Sequence, residues 1–185
     1  MLAPQESLVA RYLVVSAEPW TPEQCDVAYK ILRNIVKTFL TMVTAEGVDV
    51  ETGTEYLTAC RSGKMSFHVI ADCLKLERGY LSCRYLSWEL ARFSWQWMNN
   101  ILFRMEDSPH RDVLLRLSML HKQADNSMQW FGMNDTMFDE VIYSRNRQFR
   151  LVGNAKLGGI PLSWLHGTSA PSEAMRSPLT SVNGK

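Results

Sequence analysis

The chain has 185 residues, of which 46% are hydrophobic and 21% are charged, and its formal net charge is +1. This length is enough to bury one sizeable core and too short for two ordinary domains. The sequence holds no apolar run of about 18 residues, and residues 1–10 carry no lysine or arginine, so we expect neither a membrane span nor a typical presequence.

The four cysteines are scattered along the chain, at Cys25, Cys60, Cys73 and Cys83. They form no Cys-x-x-Cys pair and no cysteine–histidine group with the spacing of a zinc site. We therefore expect reduced thiols in an intracellular protein, in the nucleus or mitochondrion rather than outside the cell.

The charges are divided unevenly along the sequence. Residues 1–60 have a net charge of −4, whereas residues 61–185 have a net charge of +5. A carboxylate-rich half facing a basic half suits metal ions that meet phosphates. Charges of mixed sign on an ordinary solvated surface would give the same totals, so both interpretations remain open.

The first elements in chain order are a strand and a long helix. Tyr12 to Val15 is a β-branched and aromatic run that favours a strand. Thr21 can cap a helix whose first turn accepts Pro22, and Glu46-Gly47 can end it. Apolar residues recur at helical spacing between these limits, at Val27, Ile31, Ile35, Phe39 and Val43, widened by Leu32, Val36 and Leu40.

A hairpin and further helices follow. Glu55 to Cys60 and Ser66 to Leu74 are extended candidates, and the glycine in their connection, Arg61-Ser62-Gly63-Lys64, suits a tight turn. The later candidates are helices over Tyr80 to Phe103 and Val113 to Lys122 and an extended segment over Gln148 to Val152. This order predicts an α+β fold with a mostly antiparallel sheet covered by helices, a core over residues 1–166 and a flexible tail over 167–185.

A polar pattern marks the second hairpin strand. Because side chains alternate along a strand, Lys64, Ser66 and His68 share one face, and the intervening apolar residues share the other. A cation, a hydroxyl and an imidazole in one row can cradle a triphosphate. A solvent-facing strand edge with an incidental histidine is the alternative explanation.

A basic cluster lies downstream. The segment runs Asp139-Glu140-Val141-Ile142-Tyr143-Ser144-Arg145-Asn146-Arg147-Gln148-Phe149-Arg150-Leu151 and is followed by Asn154-Ala155-Lys156-Leu157-Gly158. Three arginines and a lysine in so short a stretch indicate contact with phosphates. A surface hairpin held by salt bridges is the alternative.

Together the two segments resemble the second and third motifs of the eukaryotic primase-polymerase (PrimPol) family of the archaeo-eukaryotic primase superfamily. The matching patterns are Ser-x-His entering a strand, Asp-x-x-Ile-Tyr-x-x-Asn-Arg-x-Phe-Arg-Leu, and Ala-Lys-Leu-Gly. The resemblance covers about Tyr12 to Gly158. It implies a primase-like catalytic core, and a primase or polymerase nucleotidyltransferase that binds a DNA or RNA template-primer and a nucleoside triphosphate.

The resemblance also implies residue roles. Lys64, Ser66 and His68 would contact the incoming nucleotide, with His68 among the catalytic residues, and Asp139 would be a metal carboxylate. The basic positions that approach triphosphate and template would be Arg147, Arg150 and Lys156.

The first motif of the family is Asp-x-Glu at the end of a strand, and Ser16-Ala17-Glu18 stands at that place here. Glu18 fits, and with Asp139 it would bind Mg²⁺ or Mn²⁺, but the hydroxyl of Ser16 is a poor substitute for a carboxylate. Loss of one such ligand would cost several kcal/mol in the transition state, roughly a thousandfold in rate. The alternative function is therefore a catalytically inactive primase-like subunit that binds nucleic acid or has a structural role in a replication or ribonucleoprotein assembly.

The middle of the chain is rich in aromatic residues, at Trp88, Phe93, Trp95, Trp97 and Phe103. Such rings could stack on the bases of a single strand. Their spacing covers more than one helix face and few basic residues interleave them, so a helical core or a protein interface is the preferred interpretation.

Overall fold

The computed structural model describes residues 6–15, 18–59, 63–76, 80–104, 109–121, 128–130, 152–155 and 159–165. These residues form an α+β fold with three helices and a four-stranded antiparallel sheet, which confirms the predicted class. The elements in chain order are β1 (Glu6–Val15), α1 (Pro22–Val43), β2 (Thr54–Thr58), β3 (Lys64–Leu76), α2 (Tyr80–Leu102), α3 (Pro109–Ser118), β4 (Met119–His121), β5 (Met128–Trp130) and β6 (Ser163–Trp164).

The larger sheet has the strand order β1-β3-β2-β6, and all its pairings are antiparallel. The strand β3 is therefore an interior strand, paired with β1 on one side and with its hairpin partner β2 on the other. Val15 is in register with Lys64, so the end of β1 lies beside the beginning of β3. The strands β4 and β5 form a separate two-stranded sheet.

The helix α1 begins where predicted, but its buried face is rotated relative to the predicted apolar stripe. Thr21 is the N-cap, and it forms a capping box with Gln24, in which each side chain accepts a hydrogen bond from the other residue's backbone N–H. Three residues of the predicted apolar stripe are not fully buried, since Val27 and Ile31 are half-buried and Val43 is exposed. The buried face of the helix therefore lies to one side of the predicted stripe. The buried residues of α1 are Ala28, Tyr29, Leu32, Ile35, Val36, Phe39 and Leu40.

The main core lies between the helices and one face of the sheet. Phe67 of β3 is fully buried there, with its ring centroid 5.6–5.7 Å from those of Tyr12, Tyr29 and Tyr56. The hydroxyl of Tyr12 and that of Ser94 on α2 are 3.0 Å apart, which satisfies two buried polar groups. Aromatic packing on β3 therefore joins the sheet to α1, and a hydrogen bond joins β1 to α2.

The hairpin prediction is confirmed, with strands that begin and end within a few residues of the expected limits. Gly63 in its connection has a φ of 71°, a left-handed conformation that favours glycine. The α2 prediction is also confirmed, but the predicted helix from Val113 to Lys122 is wrong at both ends. That helix begins at Pro109 and ends at Ser118, because the chain then enters β4 and pairs with β5.

Two predictions fall largely or wholly outside the described residues. Of the extended candidate over residues 148–152, only Val152 is described, and it lies in a turn with Gly153. The whole of the predicted tail, 167–185, is outside the described ranges. Within those ranges, no helix is long and apolar enough to cross a membrane.

Candidate nucleotide site on the central strand

Four of the predicted site residues lie in the described part of the chain: Glu18, Lys64, Ser66 and His68. The others lie outside it: Ser16, Asp139, Arg147, Arg150 and Lys156. Lys64, Ser66 and His68 lie on β3, and the end of β1, which pairs with Lys64, leads to the segment that carries Glu18.

The strand β3 brings Ser66 and His68 onto one face, as the alternation predicts. His68 Nε2 and Ser66 Oγ are 3.1 Å apart and form a hydrogen bond within the strand. The two residues are 1% and 4% exposed, respectively, and β3 is an interior strand, so the alternative of a solvent-facing edge is wrong. β3 is not an edge strand because it pairs with β1 along one edge and with β2 along the other.

The register places further polar residues on this second face of the sheet. Arg11 of β1 is the pairing partner of His68, and Leu57 of β2 is its partner on the other side. Glu55 pairs with Ile70 one step further along, and directly paired residues share a face. Arg11 and Glu55 therefore join Ser66 and His68 on that face, and sequence analysis missed them because only the strand register connects them to the motif.

The polar atoms of this face are deeply buried. Nδ1 of His68, Oε2 of Glu55 and Nε of Arg11 each have less than 1 Å² of exposed surface. A small apolar cluster lies beside them on the same face and consists of Leu57, Ile70 and Leu162, with Ala59 and Trp164 packed against it. Buried polar and ionisable groups cost free energy unless they are compensated, so this face is chemically unlike the aromatic core on the opposite side.

The chain after β1 leads to Glu18 at the same end of the sheet. The Glu18 side chain is exposed, and its backbone carbonyl accepts a 2.8 Å hydrogen bond from Nη2 of Arg116 on α3. Arg116 also donates from Nη1 to Gln24 Oε1 at 2.8 Å, and its guanidinium lies 3.9 Å from the centroid of the Trp20 ring. Arg116 thus fixes the segment that carries Glu18 to α1 and α3.

This contact could not be predicted from local sequence patterns, because Glu18 and Arg116 are 98 positions apart. Burial lowers the pKa of Arg116, and the nearby Glu18 carboxylate acts in the opposite direction. A guanidinium titrates so far above neutrality that Arg116 keeps its positive charge. The segment is therefore held by a charged and partly desolvated donor.

Divalent cations such as Mg²⁺ prefer several hard oxygen ligands. Glu18 offers one exposed carboxylate at the predicted position. No group of three or more histidine, cysteine, aspartate or glutamate side chains is arranged to hold a metal ion in the ranges that the structure describes. Within those ranges Glu18 therefore belongs to no such group.

Lys64 is the first residue of β3, is half-buried, and pairs with Val15 at the end of β1. Comparison of the chain with models of known protein families and with curated proteins found no match. The resemblance to primase-polymerases therefore depends on the motif residues alone.

Proposed function

We propose that this chain is a primase-polymerase-like core that binds a nucleoside triphosphate and a template nucleic acid for nucleotidyl transfer. The observation that carries the proposal is the hydrogen-bonded Ser66–His68 pair, buried on the interior strand at the end of the sheet where β1 leads to Glu18. The interior strand of a covered sheet favours apolar residues, because polar groups buried there cost free energy. A requirement for phosphate-binding donors explains the pair better than packing does.

The three donors differ in accessibility. Lys64 is only half-buried and can offer its charge to a phosphate directly. Ser66 and His68 can reach a ligand only if the residues that cover them move, since almost none of their surface is exposed. We therefore expect nucleotide binding to be coupled to a local rearrangement on the second face.

A bound Mg²⁺ or Mn²⁺ would neutralise phosphate charge and lower the pKa of the attacking hydroxyl. Glu18 would be one of its ligands, with Asp139 as the second, and Ser16 would stand where the family has a third carboxylate. Arg116 would keep the Glu18 segment in place through the backbone carbonyl of Glu18. Arg147, Arg150 and Lys156 would supply further positive charge toward triphosphate and template.

Nucleotide binding tests the proposal most directly. The double variant Ser66→Ala, His68→Leu removes both donors together, so neither is left buried without the other. We expect its affinity for a fluorescent nucleoside triphosphate to fall by at least about tenfold, as the loss of one or two charge-assisted hydrogen bonds implies. Tyr12→Phe is the matched control, because it removes a hydroxyl on the opposite face of the sheet. Equal affinities for all three proteins would refute the proposed site.

A second candidate function is a catalytically inactive, primase-like subunit that binds nucleic acid or has a structural role in a larger assembly. The nearly complete burial of Ser66 and His68 and the serine at position 16 favour it. Primer extension with Mn²⁺ distinguishes the two functions. Extension by the wild type that is lost in Asp139→Ala supports an active enzyme, whereas no extension by the wild type and a gain in Ser16→Asp support the inactive subunit.

A further inference from the structure

The outer face of α2 carries exposed aromatic and basic side chains that the proposed nucleotide site does not use. This face, here called the α2 arginine–aromatic face, consists of Leu81, Arg84, Tyr85, Trp88 and Arg92. These positions are spaced at three and four residues and therefore share one side of the helix. Leu81 is 64% exposed, Tyr85 63% and Trp88 43%, which is unusual for large apolar side chains.

The opposite side of α2 is anchored in the protein core. Cys83, Leu90, Ala91 and Met98 are buried there, and Ser94 bonds to Tyr12. The helix is therefore a fixed support, and the exposed side chains project from a backbone that does not have to fold on binding. Preorganised aromatic side chains lose little conformational entropy when a ligand covers them.

The charge of α2 is positive where its aromatic rings are exposed. Residues 80–104 contain three arginines, at 84, 92 and 104, and one acidic residue, Glu89. Glu89 already pairs with Arg92, at 2.5 Å between Oε2 and Nη2, and its side chain is only 18% exposed. The two arginines of the face outnumber this one carboxylate, so the face keeps a net positive charge, which complements a polyanion.

The position of Arg92 relative to the Trp88 ring also suits a polyanion that carries aromatic bases. The guanidinium of Arg92 lies 5.8 Å from the centroid of the Trp88 ring, an arrangement in which cation and ring can act on one ligand together. The aromatic–arginine pair recurs beyond the other end of the helix, where Phe103 is 88% exposed and precedes the exposed Arg104. A helix of 23 residues is about 34 Å long, which is enough for several stacked nucleotides.

We propose that the α2 arginine–aromatic face binds single-stranded nucleic acid, with bases stacked on Tyr85 and Trp88 and phosphates held by Arg84 and Arg92. This inference deepens the proposed function, on which it rests, by naming the surface that takes the template. The 43% exposure of Trp88 contradicts a core position for that residue, one of the two interpretations preferred from the sequence. Phe93, Trp95 and Trp97 are half-buried against the core, so the exposed rings are the ones that arginines accompany.

The test measures binding of a fluorescently labelled oligothymidylate to the full chain by anisotropy, over a series of salt concentrations. We expect Trp88→Ala to weaken binding on the order of tenfold, as for loss of one stacked base. Arg84→Gln should make the slope of log affinity against log salt shallower by about 0.7. Met42→Ala and Lys30→Ala on α1 are the matched controls, because they remove an exposed apolar and an exposed basic side chain from another helix.

Binding to heparin, a polyanion without bases, separates stacking from charge. Trp88→Ala should leave heparin affinity unchanged, whereas Arg84→Gln should weaken it. The proposal is overturned if the chain does not bind the oligothymidylate, if the α2 variants bind like wild type, or if Trp88→Ala acts equally on both ligands. It is also overturned if the face serves a second copy of the chain, seen as a dimer in sedimentation that Trp88→Ala dissociates.

The same proteins distinguish failure of this inference from failure of the proposed function. If nucleotide binding depends on Ser66 and His68 but the α2 variants bind oligothymidylate like wild type, only the α2 surface is wrong. If the α2 variants lose oligothymidylate binding but the Ser66→Ala, His68→Leu variant keeps its nucleotide affinity, the proposed nucleotide site is wrong and the α2 surface stands.

Discussion

The two faces of the four-stranded sheet differ in the kinds of residue that they bury. The face toward the helices is aromatic, and Phe67 lies at its centre against three tyrosines. The second face combines a small apolar cluster with buried residues that can ionise or bind a ligand, His68 and Glu55 among them. The difference shows that one strand, β3, can contribute aromatic packing on one side and buried polar groups on the other, because its side chains alternate.

The largest expected effect comes from the aromatic face. Phe67→Ala should lower the free energy of unfolding by about 3–5 kcal/mol, because it removes a fully buried ring and leaves a cavity among Tyr12, Tyr29 and Tyr56. Urea denaturation followed by circular dichroism measures this change. Phe103→Ala is the control, since that ring is exposed and its loss should cost less than about 0.5 kcal/mol. Equal losses for the two variants would contradict the placement of the core.

An intermediate effect is expected at Tyr12. Tyr12→Phe removes the hydrogen bond to Ser94 and should lower the free energy of unfolding by about 1 kcal/mol at neutral pH. Burial also raises the pKa of Tyr12 above its ordinary value, although the hydrogen bond between Tyr12 and Ser94 partly opposes the shift. The folded state therefore retains this proton where the unfolded state loses it.

The sign of the pH dependence follows from that difference. The stabilisation from neutral Tyr12 is complete below the ordinary tyrosine pKa of 10.0 and is lost as the pH rises toward the higher folded value. Denaturation midpoints at alkaline pH should thus fall less steeply in Tyr12→Phe than in wild type. An identical alkaline decline in both proteins would show that Tyr12 is not buried as described.

The smallest effect is expected on the second face. The double variant Ser66→Ala, His68→Leu replaces both partners of the buried hydrogen bond by apolar groups, which can be nearly neutral for stability. Its free energy of unfolding should lie within about 1 kcal/mol of the wild-type value. A loss as large as that of Phe67→Ala would mean that the pair is part of the stabilising core, and the contrast between the two faces would fail.

Local patterns predicted the local structure of this chain. Thr21 and Pro22 marked the start of α1, and Gly63 marked the hairpin turn, because capping and positive φ angles depend on neighbouring residues. The interior position of β3 could not be predicted in this way, since it depends on pairing with β1, which α1 and β2 separate from β3 in the sequence. The same limit hid the contact of Arg116 with Trp20 and Glu18, which joins residues that are distant in sequence.

The candidate site was likewise predicted only where it depends on neighbouring residues. Alternation placed Ser66 and His68 on one face correctly, but exposure depends on what packs over that face, and these two residues are buried whereas Lys64 is half-buried. Arg11 and Glu55 joined them only through the register of β1 and β2. The motif thus predicted which face the residues share, and the sheet determined which neighbours they have.

The interior position of β3 also bears on the order in which the protein can fold. The β2–β3 hairpin closes a short loop and can form early, whereas the β1–β3 ladder must bring together segments separated by α1 and β2, at a greater cost in chain entropy. The row that contains Arg11 and His68 is complete only after that second pairing. A partly folded chain with the hairpin alone would therefore lack the candidate site, so the proposed nucleotide binding would require the finished sheet.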